Sequence, residues 1–266
     1  MTFAPAQPVP APQARGARYG LFSVANGPID LDQRAIGGGV TWQPDTCGTA
    51  HYWPTLCHEE RSGYTVKTFD EEPDIATAAS FIAYGSATCG SVGTGVEGMA
   101  AKATRNLLSG EQTVAEEALA AALAAVATPV VPADAADIVS VISELEQWLY
   151  GTATMAYGNA GYLHASPRIA AWADSQGLLI QDWIPGGGIR WRTRMGTFWS
   201  IGGGYPDDGA ITITGQVTVW RSPDVVQTPA QLDRDTNQWY ALAEREYAVG
   251  WDCHAGSADF DWIPPS

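Results

Sequence analysis

Lysine is nearly absent: Lys67 and Lys102 are the only two in a chain of 266 residues. With 14 basic against 29 acidic side chains, the formal net charge is −15. The clustered Lys and Arg with which a binder of nucleic-acid phosphates displaces counterions are therefore missing. No window approaches ~18 consecutive apolar residues, so no membrane-spanning helix is expected. The opening MTFAPAQPVPAPQARG has no cationic start before an apolar stretch, unlike a signal peptide, and synthesis inside a cell is expected. Cysteine is scarce as well. Cys47, Cys57, Cys89 and Cys253 are too few and too scattered for a disulfide-built scaffold. A zinc site drawing on Cys47, Cys57 or His58, and Cys253 or His254 lacks CxxC or HxxxH spacing, so ordinary buried or loop thiols and no metal are expected. Aromatic residues, by contrast, are plentiful. Eleven Trp and ten Tyr supply more apolar area than a disordered acidic chain carries.

Residues 1–18 are Pro- and Ala-rich with two arginines, Arg15 and Arg18, and read as an extended arm that cannot bury itself against its own chain. Residues 19–72 are irregular and Gly-rich, with β-prone pieces at 40–42, 51–53 and 64–69, and read as a long loop excursion closed by Asp70-Glu71-Glu72. A buried strand is expected around 81–84. From Val96 to Val126 apolar or small residues recur at three-to-four spacing, which predicts either one long bent helix or two helices meeting at Ser109-Gly110. A second helix is expected over 134–150, with Ile138, Ile142, Leu145 and Leu149 on one face. After it come strands at 160–164, 189–194, 197–201 and 211–220, a short helix at 168–176, and a long Trp- and Tyr-rich strand at 238–251. This order predicts an α+β fold.

Chemical motifs are thin. Gly93-Thr-Gly95-Val-Glu-Gly98 matches GxGxxG, but the helix after it is too long for a dinucleotide-binding unit and no βαβ series follows; a Gly-rich start to a helix accounts for it better, and no cofactor is expected. No GxSxG occurs, and His164 reads as a hydrogen-bonded structural histidine before a general base. The acid pairs Glu59-Glu60, Glu116-Glu117 and Asp207-Asp208 read as solvated. No enzyme is expected. Trp172, Trp183, Trp191, Trp199, Trp220, Trp239 and Trp251 could form a carbohydrate platform; interleaved with strands and Gly turns, they read rather as core and subunit interface.

Four stretches together resemble the major capsid protein of tailed phages, the Hong Kong 97-type fold shared with encapsulin shells. ATRNLLSGEQTVAEEAL (103–119) is similar to that family's spine helix. GYLHASP (161–167), the helix after it and RMGTFWSI (194–201) are similar to its axial domain, and DTNQWYALAEREYAVG (235–250) to the closing strand of its peripheral domain. The resemblance implies an N-terminal arm (1–30), an extended loop (31–72), a peripheral domain with the spine helix (73–133), an axial domain (134–209) and return strands of the peripheral domain (210–266). It further implies a structural protein that assembles with itself, as hexamers and pentamers, into an icosahedral shell around phage DNA held without sequence-specific binding. Portal and scaffold or decoration proteins would be its other partners. The particle would assemble in the host cytoplasm and be found as the virion capsid, with no membrane involved. An encapsulin-type nanocompartment or a carbohydrate-binding or tail-type virion protein are the alternatives. Arg15 and Arg18 in the arm and Trp42, Tyr52, Trp53, Tyr64 and Phe69 in the loop are the expected inter-subunit contacts, since a Gly-rich segment with that apolar load would be left wet on a lone subunit. Some family members join subunits by a Lys–Asn isopeptide bond; Lys67 and Asn237 are the candidate pair, and with two lysines in the chain no such bond is expected.

Overall fold

The computed structural model describes residues 19–32, 36–44, 74–90, 96, 98–152, 161–183 and 189–261. The contact residues expected at Arg15, Arg18, Tyr52, Trp53, Tyr64 and Phe69, together with Lys67, lie outside them. In chain order the elements are α1 (Leu21–Val24), β1 (Asn26–Asp30), β2 (Val40–Trp42), β3 (Ala76–Ala78), β4 (Ser80–Gly90), α2 (Met99–Val126), β5 (Thr128–Pro129), α3 (Ile138–Gln147), β6 (Tyr162–Ala165), α4 (Pro167–Ser175), β7 (Ile180–Trp183), β8 (Ile189–Arg192), β9 (Phe198–Ile201), β10 (Ala210–Thr214), β11 (Val217–Arg221), β12 (Val226–Asp233), β13 (Gln238–Trp251) and β14 (Ala255–Asp259). None of the described helices is long and apolar enough to cross a membrane.

Two sheets organise the chain. The first runs β1-β11-β13-β12, with β4 on the other side of β13 in antiparallel register from Gln238↔Gly90 to Ala248↔Ser80. The second runs β5-β14-β10-β6-β9-β8-β7. Helix α2 continues unbroken through Gly110 for 28 residues, about 42 Å of rise, so the one-helix alternative is the one formed. It starts at Gly98, whose φ of 86° suits a residue without Cβ, which is why the GxGxxG match marks a helix start. Its stripe Met99, Ala103, Leu107, Ala115, Leu119 and Leu123 is buried in one core with Ala83 and Ala87 of β4 and Ala241, Ala243 and Tyr247 of β13. Leu107 is 1% exposed and Leu119 likewise, while Val114 packs only at the margin of that core. Leu107→Ala is therefore expected to lower unfolding free energy by about 2–5 kcal/mol. Urea titration of both proteins checks it, and a loss under roughly half a kcal/mol would mean the helix is seated on another face.

A second core forms on the other sheet. Ile138, Ile142, Leu145 and Leu149, the face read from periodicity, pack with Leu163, Ile169, Trp199, Ile211 and Ile213. Helix α3 starts later than expected: the capping side chain is that of Asp137, which accepts from the Val139 amide, while Asp134 closes a turn onto the Ala136 amide. Helix α4 is capped by Ser166 with Pro167 at its first position.

Three expectations need correction. Residues 211–220 are two strands broken at Gly215-Gln216, and the break carries the chain from the second sheet (β10) to the first (β11). The boundary expected at 209/210 is consequently not a sheet boundary, since β10 and β14 both pair within the second sheet. Residues 19–30, assigned by sequence to the arm, form α1 and β1. Leu21 is fully buried, and β1 runs parallel to β11 with Ile29 opposite Trp220.

Candidate functional site

At the middle of α2 the side chain that ties neighbouring elements together is acidic. Glu116 is 0% exposed. Its Oε1 accepts from the Leu21 amide at 3.1 Å and its Oε2 from the Gly204 amide at 3.1 Å. One turn earlier, Gln112 donates to the Tyr19 carbonyl at 2.7 Å. A single carboxylate thus ties the start of the folded chain and the loop after β9 to the long helix. The loop can come this close because a Cβ at position 202 would lie 1.9 Å from Glu116 Oε2. Desolvation raises the Glu116 pKa above its ordinary value, with the two amides and Gln112 pulling the other way and Glu117 adding to the rise. The expectation that Glu116 and Glu117 are both solvated is wrong for Glu116. The missed signal was register: Glu116 lies three residues before Leu119 and seven before Leu123, on the buried stripe.

Beside this joint lies a closed polar chain. His164 Nδ1 is 3.2 Å from the Tyr205 hydroxyl, His164 Nε2 is 2.9 Å from Thr214 Oγ1, and Ser200 Oγ is 2.6 Å from the Tyr205 hydroxyl. Thr214 donates to the Gly215 carbonyl at 3.0 Å, so its oxygen accepts from Nε2–H, which leaves Nδ1 to accept from Tyr205. Every partner of the ring is used, so His164 holds strands β6 and β10 to the 202–205 loop as a neutral imidazole. Burial pushes its pKa down to about 3 from 6.5. The unfolded chain then binds the extra proton between those values, and stability falls as pH drops below about 6.5. His164→Gln should flatten that slope, by up to about 1.4 kcal/mol per pH unit. Denaturant melts of wild type and variant between pH 4 and 7 check this; parallel curves would place the titration elsewhere.

On the opposite side of α2, Glu111 accepts from the Tyr247 hydroxyl at 2.5 Å and from Arg245 at 3.1 Å. Burial and the Glu111 hydrogen bond raise the Tyr247 pKa. The pair clamps the helix to β13. These clusters fix one element on another, and none sets a base beside a nucleophile in an open cleft. Of the described residues, no group of three or more His, Cys, Asp and Glu is placed to hold a metal ion. Cys253 is disulfide-bonded, so it offers no thiolate to the zinc set considered above. Cys89 is free.

Two residues expected at interfaces or cross-links are described. Trp42 donates its indole N–H to Asp252 Oδ1 at 2.8 Å and packs its ring 5.1 Å from that of Trp220, while β2 pairs with β3. It lines an open cavity of about 440 Å³ with Pro44, Ile75, Trp251, Cys253 and His254. Pro44 and Asp74, which also lines it, are the two ends of the described chain around the loop, so this cavity is the loop's root. Asn237 lies at the tip of the β12–β13 hairpin with a φ of 53°. The tip is tied by Asp233, which accepts from the Asp235 amide and from the Thr236 hydroxyl. The tryptophans do not make one platform. Trp199 is buried, Trp191 joins the second core, Trp239 and Trp251 join the first, and Trp172 and Trp183 are exposed on separate elements.

No protein-family model matches the sequence, and no curated protein does. Solved structures do. The capsid of Ralstonia phage GP4 superposes with a TM-score of 0.55 at 9% identity, over 99% of this chain and 96% of that one. A structure of Mycobacterium phage Che8 gives 0.52 at 11% identity, over 98% and 99%. The SrpI encapsulin complex from Synechococcus elongatus gives 0.51 at 12%, over 91% and 88%. The long helix seated on one sheet, the second sheet with its two helices, and the long closing strand are thus the α+β fold of phage capsid proteins and encapsulin shells.

Proposed function

We propose that this chain is the major capsid protein of a tailed phage, a structural subunit that assembles with itself into an icosahedral shell around the genome. The observation that carries the reading is the whole-chain superposition on the phage capsid, 99% of this chain on 96% of that one. The composition supports it: a wall with a net charge of −15 encloses DNA without the counterion release that would hold the duplex fast. Hexamers and pentamers of this subunit would form the shell in the host cytoplasm, with portal and scaffold or decoration proteins as further partners. Arg15, Arg18, Tyr52, Trp53, Tyr64 and Phe69 remain the proposed contacts between subunits. Trp42, bonded within its own chain, would act there by holding the root of the loop.

Negative-stain electron microscopy of the purified protein tests the reading. Closed icosahedral particles are expected, and a preparation of monomers or trimers alone would overturn it. DNA-free particles that instead retain a co-purified enzyme would favour the nanocompartment alternative. Deleting residues 1–18 should leave a folded subunit, because that Pro- and Ala-rich stretch has no apolar periodicity with which to join a core, while the yield of particles falls. Particle yield and melting temperature equal to those of the full chain would remove the arm from the assembly scheme.

A further inference from the structure

A groove of about 350 Å³ lies between the start of α3 and the end of α4, lined by Ile138, Trp172, Gln176, Phe260, Asp137 and Asp261. Helix α4 buries Ile169, Ala170 and Ala173, yet leaves Trp172 39% exposed, its ring standing edge-on to Phe260 at 6.3 Å. Asp261 is exposed, and its amide donates to the Ala135 carbonyl, which holds the segment after β14 against the turn before α3. The result is an aromatic floor with a side-chain amide and two carboxylates on its rim.

That chemistry fits one segment of this same sequence. Residues 1–18 contain Pro5-Ala-Gln-Pro8 and Pro8-Val-Pro10-Ala-Pro12, followed by Arg15 and Arg18, and hold no acid at all in a chain with 29 of them. Such spacing favours the polyproline II helix, whose fixed φ lowers the entropy lost on docking and whose ridges seat on exposed aromatic rings. Its free carbonyls need donors of the kind Gln176 provides, and its arginines need acids on the rim. At about 3.1 Å per residue the segment reaches roughly 56 Å, far beyond one strand spacing of about 4.8 Å, and long enough to leave its own subunit.

We propose that this groove is the docking site for the Pro-rich arm, residues 4–18, of a second copy of the chain, with Trp172 as the anchor and Asp137 and Asp261 receiving Arg15 and Arg18. The proposal rests on the shell reading and adds to it the place where the arm lands.

The test uses the full chain carrying the photo-cross-linker p-benzoylphenylalanine in place of Val9, co-assembled with ¹⁵N-labelled wild-type subunits. Irradiated particles are digested with trypsin and read by mass spectrometry. Unlabelled residue-9 peptides joined to labelled peptide 169–190, which holds Trp172, are expected. Trp172→Ala in the labelled subunit should cut that yield about tenfold. Cross-links only within unlabelled chains, or only to other peptides, overturn the proposal. A control probe at Ile263 that reaches 169–190 when the residue-9 probe does not would assign the groove to the C-terminal tail and overturn it too. Micrographs of the same samples keep the two ideas apart: absent particles count against the shell reading, and particles lacking this cross-link count against the groove alone.

Discussion

Replacing Glu116 by Ala should destabilise the subunit by about 2–6 kcal/mol, because the buried Leu21 amide and the half-buried Gly204 amide lose their acceptor, at up to about 3 kcal/mol each. Glu116→Gln keeps the shape and should cost less, about 1–3 kcal/mol: the amide nitrogen cannot accept, so one of the two N–H groups is orphaned. The pH dependence separates this from a simple packing defect. Burial raises the Glu116 pKa above 4.5, so between 4.5 and the raised value the folded state holds a proton that the unfolded chain has released. This contribution is largest in acid and is lost as pH rises through the folded pKa. The stability gap between wild type and Glu116→Gln should accordingly be wider near pH 5 than at pH 8. His164 acts with the opposite sign over an overlapping range, which is why the difference between proteins, and not the wild-type curve alone, is the informative quantity. A gap independent of pH would show that Glu116 does not titrate in that range. Because the carboxylate joins the folded start of the chain and the 202–205 loop to one helix, both variants should also weaken particles if the proposed shell forms.

Much of this architecture is local in the sequence and was legible there. Strand β13 runs from Gln238 to Trp251 as expected, since fourteen β-compatible residues follow one another with no breaker before Gly250. The stripes of α2 and α3 follow from the three-to-four spacing of small and apolar side chains. What escaped was of two kinds. The break at Gly215-Gln216 sits inside ITITGQVTVW, where β-prone residues continue on both sides, and nothing local says that the two halves join different sheets. The parallel pairing of β1 with β11 links Ile29 to Trp220, a separation that only tertiary packing can choose. The joint at Glu116 escaped because an acidic pair on a helix is ordinarily solvated. Only its coincidence with the apolar stripe, and the glycines that let the 202–205 loop approach, turn it into a buried anchor. The interface residues Tyr52, Trp53, Tyr64 and Phe69 lie outside the described residues, and their role rests on composition.

Gly85→Ala should be among the most damaging single-methyl changes in the molecule, at about 3 kcal/mol or more, and it tests how tightly the long helix is seated. Gly85 lies in β4 opposite Ala243 of β13, on the face that meets α2. A Cβ there would stand 2.2 Å from the Leu107 amide nitrogen and 2.3 Å from the Ala103 carbonyl oxygen. Both are backbone atoms of the helix, so no side-chain rotation relieves the clash. The helix would have to lift by more than an ångström, and its contacts on either side would go with it. Ala83 and Ala87, two residues away on the same face, are buried in the same core against α2. A rise from the sheet would in turn strain the Arg245–Glu111–Tyr247 contact on that side of α2. Thermal unfolding with intrinsic tryptophan fluorescence as the readout is a suitable measurement, with Gly110→Ala as the control, since a Cβ at Gly110 meets nothing within 4 Å. In a helix interior, that control should gain about 0.5–1 kcal/mol. Opposite signs at the two positions are the expected result. A Gly85→Ala protein that melts with the wild type would mean the helix rides further from the sheet than 2.2 Å allows, and the seat described for α2 would be wrong.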